Sequence, residues 1–422
     1  MRVNLARLNH ILIPTTKRER DKARRSRFVK LAMPIVWLYL ALSEEGRFLA
    51  VASIFVGGAG LEVPANQIHL LWAALTGLLV TSLALRRLFT LDGVRLDVKA
   101  PRRVTVGEEV TFALTLSSDA KRELQAVRVS GPFLPWDGSW TAPEPRLASL
   151  APGARVELVS KARFVERGEH HLESFRAGAL VPLGLAVGPE VDSSDTLFMV
   201  VPRIAPVESL RTPEGNRYQP GGVALASRTG ESMELLGVRP YRPGDPLRDL
   251  HAHSSARAGK PVVREFQQEF FSRIGVVLDT DRSADPDALE AGISLAAGVI
   301  ANLTRGEALI DVLVVGDKVE PFTLGRSLGF LEQALDLLAC VKPGAPPRAD
   351  SLVAGLAPYL GRLSCVVLVA LAWDEPRQRL VEELRRRGVA VRALLVGAGP
   401  GSDPRVTPVP LSAILAGEPL VL

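Results

Sequence analysis

Cysteine is almost absent from this chain: two thiols, Cys340 and Cys365, stand among 422 residues. Both lie in apolar runs, which predicts buried thiols in a reducing compartment and leaves no disulfide framework to build. No Cys or His cluster has zinc spacing. Histidine is scarce too, with six in all and none after His253. That scarcity removes one enzyme class. Gly325-Arg326-Ser327-Leu328-Gly329 matches G-x-S-x-G, but a hydrolase triad needs its His downstream of the serine, so the match reads as a helix-start turn. There is no P-loop, so ATP hydrolysis by the chain itself is not expected. Aromatic residues make up only 5% of the chain. A net charge of +5 and a pI of about 9.4, with no aromatic-rich basic face, do not describe a nucleic-acid binder.

What the chain has in plenty is apolar sequence, 47% hydrophobic residues with a mean hydropathy of +0.17. The excess sits near the N-terminus. Residues 1–27 form a basic arm, with Lys17, Arg18, Arg20, Lys22, Arg24, Arg25 and Arg27. Three apolar runs follow, Leu31–Leu42, Phe48–Leu61 and Ile68–Leu85. A span of the hydrocarbon needs about 20 residues. The first run is short and contains Pro34, so it reads as interfacial. The other two predict a membrane hairpin within 28–89, with spans at about 47–64 and 68–85. Ser53, Gly57, Gly58 and Gly60 are small enough to let its two helices approach closely. Basic residues flank the pair on both sides, including Arg86-Arg87, and none lies between the spans. The positive-inside rule then leaves the large C-terminal region in the cytoplasm.

Residues 90–204 read as all-β. Val94–Val98, Val110–Leu116 and Arg155–Val159 alternate at period two between Pro/Gly turns, which suggests an immunoglobulin-like sandwich. Residues 205–273 comprise a Gly/Pro/Ser-rich linker and an arginine-rich segment. From 274 to 422 apolar strands alternate with helices: Ile274–Asp279, Asp287–Leu303, Ala308–Val315, Leu328–Leu338, Ser364–Leu371, Glu375–Arg387 and Val389–Val396. That alternation predicts an α/β, Rossmann-type domain around a parallel sheet.

The arginine-rich segment runs from Glu234 to Glu269. Tyr241-Arg242-Pro243-Gly244-Asp245-Pro246 is a turn, since Pro presets φ and Gly tolerates positive φ. Asp245 is expected to hold it by pairing with Arg248. The order R-x-Y-x-P-G-D-x-x-R, then A-R-x-G-K and V-R-E-F, resembles the signature of the bacterial family called domain of unknown function fifty-eight. It is carried by Arg239, Tyr241, Pro243, Gly244, Asp245, Arg248, Ala256, Arg257, Gly259, Arg264 and Glu265. Ala252 and His253 depart from the aromatic and Lys usual before the A-R pair. Arg167-Gly168, Pro182-Leu183-Gly184-Leu185 and Val201-Pro202-Arg203 resemble family landmarks in the same order.

The resemblance implies a protein of the bacterial inner membrane, with its α/β domain von Willebrand factor A-like. It implies a MoxR-type AAA+ ATPase as partner. Arg239, Tyr241, Asp245, Arg248, Arg257 and Arg264 are then the candidate partner-binding residues, because guanidinium forks suit carboxylates on a protein.

Asp279-Thr280-Asp281-Arg282-Ser283 follows the first strand of the α/β domain and resembles the D-x-S-x-S metal site of von Willebrand A domains, with Asp281 in place of the first Ser. Asp279, Asp281, Ser283 and Asp374 are hard oxygen donors suited to Mg²⁺. Thr323 is a further candidate ligand. Arg282 could instead offset the negative charge, and the same loop could simply cap the following helix. His251 and His253 lack a third ligand in sequence reach. The expectation is a non-enzymatic, membrane-anchored scaffold acting in assembly or maturation of other proteins. The alternatives are a metal-dependent hydrolase using Asp279, Asp281 and Asp374, and polyanion or lipid binding through the basic arm.

Overall fold

The computed structural model of the protein describes residues 27–60, 66–212, 219–229, 235–271, 273–281, 285–305, 309–315, 319–324, 329–344, 349–360, 363–397 and 403–422. It is mixed α/β with many β-sheets and divides into two compact units, Met1–Val201 and Pro202–Leu422.

Among the described residues, the first unit begins with three helices, α1 (Arg27–Ala41), α2 (Glu44–Gly60) and α3 (Asn66–Leu85). Phe48, Ile54, Phe55, Leu70 and Leu71 are exposed on α2 and α3. The two helices pack on each other through small and polar positions. Ser53 Oγ and Thr76 Oγ1 share a hydrogen bond of 2.9 Å. Gly57 backs onto the Trp72 indole, where a Cβ would stand 2.6 Å from Nε1. Among the described residues, one helical stretch, Gln67–Leu88, is long and apolar enough to cross a bilayer.

The joint between α1 and α2 is stitched to the β part of the same unit. Ser43 caps α2, its Oγ accepting from Gly46 N at 2.9 Å. Ser43 N donates to Leu185 O at 3.1 Å and Val187 N to Ala41 O at 2.9 Å.

The β part comprises eleven strands: β1 (Val94–Lys99), β2 (Arg103–Thr105), β3 (Glu109–Ser118), β4 (Leu124–Ser130), β5 (Gly138–Trp140), β6 (Arg146–Leu150), β7 (Arg155–Phe164), β8 (Gly168–Leu172), β9 (Arg176–Ala179), β10 (Val191–Asp192) and β11 (Thr196–Val201). They form sheets in the orders β1-β3-β7-β5, β10-β9-β4-β6 and β2-β11-β8. Alternate residues of β3, including Val110, Phe112, Leu114 and Leu116, turn inward and meet side chains from all three sheets in one core. Phe112 packs on Phe175 and Phe198 with ring centroids 5.3 and 5.8 Å away.

The second unit begins where the sequence reads as a linker, yet that stretch carries β12 (Val207–Ser209) and β13 (Gln219–Thr229). β14 (Leu235–Pro240) and β15 (Val262–Phe271) complete a three-stranded sheet in the order β13-β15-β14, with α4 (Ala252–Ala258) between them in the chain. Backbone pairing supplies what composition concealed: β12 runs parallel to β22 (Leu420–Val421) at the end of the chain.

The larger sheet holds β16 (Arg273–Asp279), β17 (Leu309–Val315), β18 (Val319–Leu324), β19 (Cys365–Ala370), β20 (Ala390–Val396) and β21 (Val406–Val409), in the order β18-β17-β16-β19-β20-β21. Every neighbouring pair is parallel except β17 and β18, so the predicted parallel sheet has one antiparallel edge.

The helices are α5 (Pro286–Leu303), α6 (Gly329–Cys340), α7 (Ala349–Leu360), α8 (Glu375–Arg386) and α9 (Leu411–Ala416). Val277, Leu313, Leu368 and Ala393 on one face pack with Leu356 of α7 and Leu380, Val381 and Leu384 of α8. Leu278 and Val369 lie near Gly292 of α5 on the other. Burial on both faces explains why these strands read as continuous apolar runs. One thiol differs from expectation: Cys365 is buried, but Cys340, in the last turn of α6, is exposed.

Candidate functional site

In a doubly wound sheet the crevice for ligands opens at the carboxyl ends of the strands, where the chain order reverses. Here that is the gap between β16 and β19. Asp279 closes β16. Its Oδ2 accepts from Leu371 N, just beyond β19, at 3.1 Å, and its Oδ1 accepts from Asp281 N at 3.2 Å. Thr280 is pinned to β17 by Oγ1 donating to Val315 O at 2.7 Å. Asp374 is the N-cap of α8, its carboxylate accepting from Arg377 N at 3.4 Å, and Pro376 follows where a missing N–H costs nothing.

These three carboxylates converge on one side chain that sequence reasoning missed. Arg377 Nε donates to Asp279 Oδ2 at 2.7 Å, Nη2 to Asp281 Oδ2 at 2.9 Å and Nη1 to Asp374 Oδ2 at 2.5 Å. Arg377 is 2% exposed, Asp279 3% and Asp281 5%, whereas the Asp374 side chain is 46% exposed. Burial alone would drive the guanidinium towards neutrality. The hydrogen bonds and charge of Asp279, with those of Asp374 and Asp281, outweigh it and raise the Arg377 pKa above its ordinary value. The signal was present as Asp374-Glu375-Pro376-Arg377, a capping Asp with an Arg one turn into the helix. Nothing in the sequence tells this arginine from Arg379, Arg385, Arg386 or Arg387 on the same helix.

The Mg²⁺ expectation meets this arrangement directly. Asp279, Asp281 and Asp374 are a suitable oxygen set, but each already turns an oxygen to Arg377. Among the described residues, no group of three His, Cys, Asp or Glu is disposed to hold a metal. Ser283 and Arg282 lie outside the described residues, as does the Thr323 side chain.

The arginine-rich segment is internally locked. Arg239 grips Asp245 with both ends of its fork, Nη1 to Oδ2 at 2.7 Å and Nη2 to Oδ1 at 2.8 Å. Asp245 Oδ2 also accepts from Arg242 N at 2.8 Å, which closes the turn around Gly244, at φ 104°. The Arg239 bonds, followed by that of Arg242 N, hold the Asp245 carboxyl down at about 2. The expected Asp245–Arg248 pairing is therefore corrected. Arg239 takes that role because strand β14 delivers its fork to the turn, while Arg248 Nε lies 3.9 Å from Asp249.

His251 caps α4, Nδ1 accepting from Ser254 N at 3.3 Å. Its ring centroid is 6.4 Å from that of His253. Tyr241 is half-buried, and Arg242, Arg248, Arg257, Lys260 and Arg264 are exposed.

No protein-family model matches the chain. An uncharacterized Bacillus subtilis protein, YeaD, is 26% identical over 162 residues, covering 38% of this chain and 39% of the relative. The match thus spans well under half of that relative. Among solved structures, Escherichia coli alpha-2-macroglobulin covers 28% of this chain and 20% of its own at 18% identity, with a TM-score of 0.21. The CARDB domain of the Pyrococcus furiosus protein PF1109 covers 26% of this chain and 87% of its own at 14% identity, with a TM-score of 0.18. Proximal thread matrix protein 1 from the mussel byssus covers 35% and 46% at 14% identity, with a TM-score of 0.26. Likenesses this slight carry no argument about function.

Proposed function

We propose that the chain is a membrane-tethered, non-enzymatic scaffold of the family named from its arginine signature. Its C-terminal α/β domain is von Willebrand A-like and docks a protein partner, in the class of MoxR-type AAA+ ATPases, in the assembly or maturation of other proteins. The observation that carries this reading is a division of labour among arginines. Arg239 is consumed in locking the turn, and Arg242, Arg257 and Arg264 are exposed on the turn, helix and strand that follow. Guanidiniums on a fixed backbone are suited to the carboxylates of a folded partner, because the backbone needs no ordering on binding and each planar fork can take a carboxylate bidentately.

The strand order of the larger sheet supports a doubly wound domain. The aromatic-cored strands of the first unit support an immunoglobulin-like spacer. Helices α2 and α3, apolar and exposed, support a membrane hairpin in the bacterial inner membrane, with the soluble domains in the cytoplasm. The hydrolase alternative needs carboxylates available to a metal or a substrate; those of Asp279, Asp281 and Asp374 are turned to Arg377.

The test is purification of the full chain from its native membrane. An AAA+ ATPase should accompany the wild type and be lost when Arg257→Glu and Arg264→Glu are combined. An eluate of wild-type protein without that ATPase overturns the partner assignment.

A further inference from the structure

Three acidic side chains gathered at the end of a sheet would ordinarily repel one another until a cation arrived. Here the fold provides one. The Arg377 guanidinium uses three nitrogens on three different carboxylates, with no donor-to-acceptor distance above 2.9 Å. Asp279, at its centre, is further satisfied by the backbone amides of Leu371 and Asp281. A divalent ion would have to bring its oxygen ligands to about 2.0–2.6 Å and so would compete with the guanidinium for these carboxylates. It would also lie against a buried positive charge that cannot leave its protons behind, since arginine does not deprotonate in proteins.

We propose that Arg377 is the resident cation of this site, so that the carboxyl end of the sheet is held together without Mg²⁺ or Ca²⁺ and a divalent site exists only in latent form beneath the guanidinium. The inference concerns the α/β domain alone and does not depend on the identity of any partner. One consequence is chemical. A divalent ion with an open position would take a carboxylate from a binding partner, but this guanidinium is buried and already directs all three of its nitrogens to internal carboxylates. Among the described residues of the cluster the exposed one is Asp374, which offers an acceptor to cationic side chains and no metal to anionic ones.

The experiment titrates Mn²⁺ into the full-length protein in detergent, after dialysis against EDTA, with free Mn²⁺ read by electron paramagnetic resonance. The wild type should show no saturable site, and its melting profile should be the same in EDTA and in excess MgCl₂. Arg377→Gln removes the charge and keeps a polar side chain in the space. It should bind one equivalent of Mn²⁺ more than about tenfold tighter than the wild type, as expected when a like charge leaves the site. Mn²⁺ should also raise the variant's melting temperature, and adding Asp279→Asn should abolish both effects. Stoichiometric Mn²⁺ on the wild type that disappears in Asp279→Asn overturns the proposal. So does a folded Arg377→Gln that gains no Mn²⁺. Should that variant not fold, the wild-type titration decides the matter.

Discussion

Arg377 Nε donates to Asp279 Oδ2 across 2.7 Å, although the two residues are 98 positions apart in the chain. The bond ties the last residue of β16 to the first turn of α8 and so closes the crest of the sheet. Its loss should be graded by burial. Arg377→Ala leaves two buried carboxylates without their cation and should cost about 3–5 kcal/mol. Asp374→Ala removes a half-exposed partner and a helix cap, and should cost about 1 kcal/mol. Hydrogen exchange of the amides in Arg273–Asp279 and Cys365–Ala370 measures both. Equal acceleration in the two variants would show that burial does not set the hierarchy.

Asp245 makes a prediction about acid. Its carboxyl is held near 2 by Arg239 and by Arg242 N, below the ordinary 3.8. A carboxylate with a depressed folded pKa contributes stability that is present above its unfolded pKa and is lost as pH falls through the folded one. The turn should therefore keep its geometry down to about pH 4 and loosen between there and pH 2. A carboxyl-carbon NMR titration should place the Asp245 midpoint near 2 and return it towards 3.8 in Arg239→Ala. A midpoint that ignores Arg239 would show that Arg239 does not lock the turn.

How much of this was legible beforehand depends on position in the sheet. The central strands β16, β17, β19 and β20 are buried on both faces, and their uninterrupted apolar runs announced them. The strands that sequence reading missed, β18 and β21, are the two edges, and each contains a proline, Pro321 and Pro408. Proline inside a run argues against a strand, but an edge strand has one side free of ladder bonds and tolerates it. Asp279, Asp281 and Asp374 could be nominated because strand ends are where this class of fold places ligands. Arg377 could not, because an arginine in an amphipathic helix is ordinarily one more solvated charge, and two of its three partners, Asp279 and Asp281, lie far off in sequence at the end of β16.

Gly298 tests how tightly the start of the second unit is bound to α5. A Cβ there would stand 2.3 Å from Ala205 O, a backbone atom that cannot rotate aside. Ala205 N donates to Ser294 O at 3.1 Å, and Asn302 Nδ2 reaches Val207 O at 3.1 Å, so the segment is clamped on either side of the contact. Alanine is the better helix former by about 1 kcal/mol, but overpacking typically costs about 1–3 kcal/mol. The clash should win. Gly298→Ala should melt lower, and the amides of Leu420 and Leu422, which bond to Pro206 O and Ser209 O, should exchange faster. A variant that melts higher would mean that β12 yields without cost.

The two cysteines provide a native reporter of topology. Burial pushes the Cys365 thiol up to about 12, so it carries almost no thiolate near neutral pH and should not react. Cys340 is exposed and should react. Arg86-Arg87 and the N-terminal basic arm flank the apolar helices, and no Lys or Arg lies between Gly60 and Asn66. In the proposed two-span topology the positive-inside rule would keep both flanks, and with them Cys340, on the cytoplasmic side. A membrane-impermeant maleimide should leave the protein unlabelled in intact spheroplasts and label it once after permeabilisation, and Cys340→Ser should abolish the signal. If the reagent labels Cys340 from outside, the number of spans is odd. The run that ends at Leu42 would then have to cross the bilayer with the other two, and the docking face would look away from any cytoplasmic ATPase.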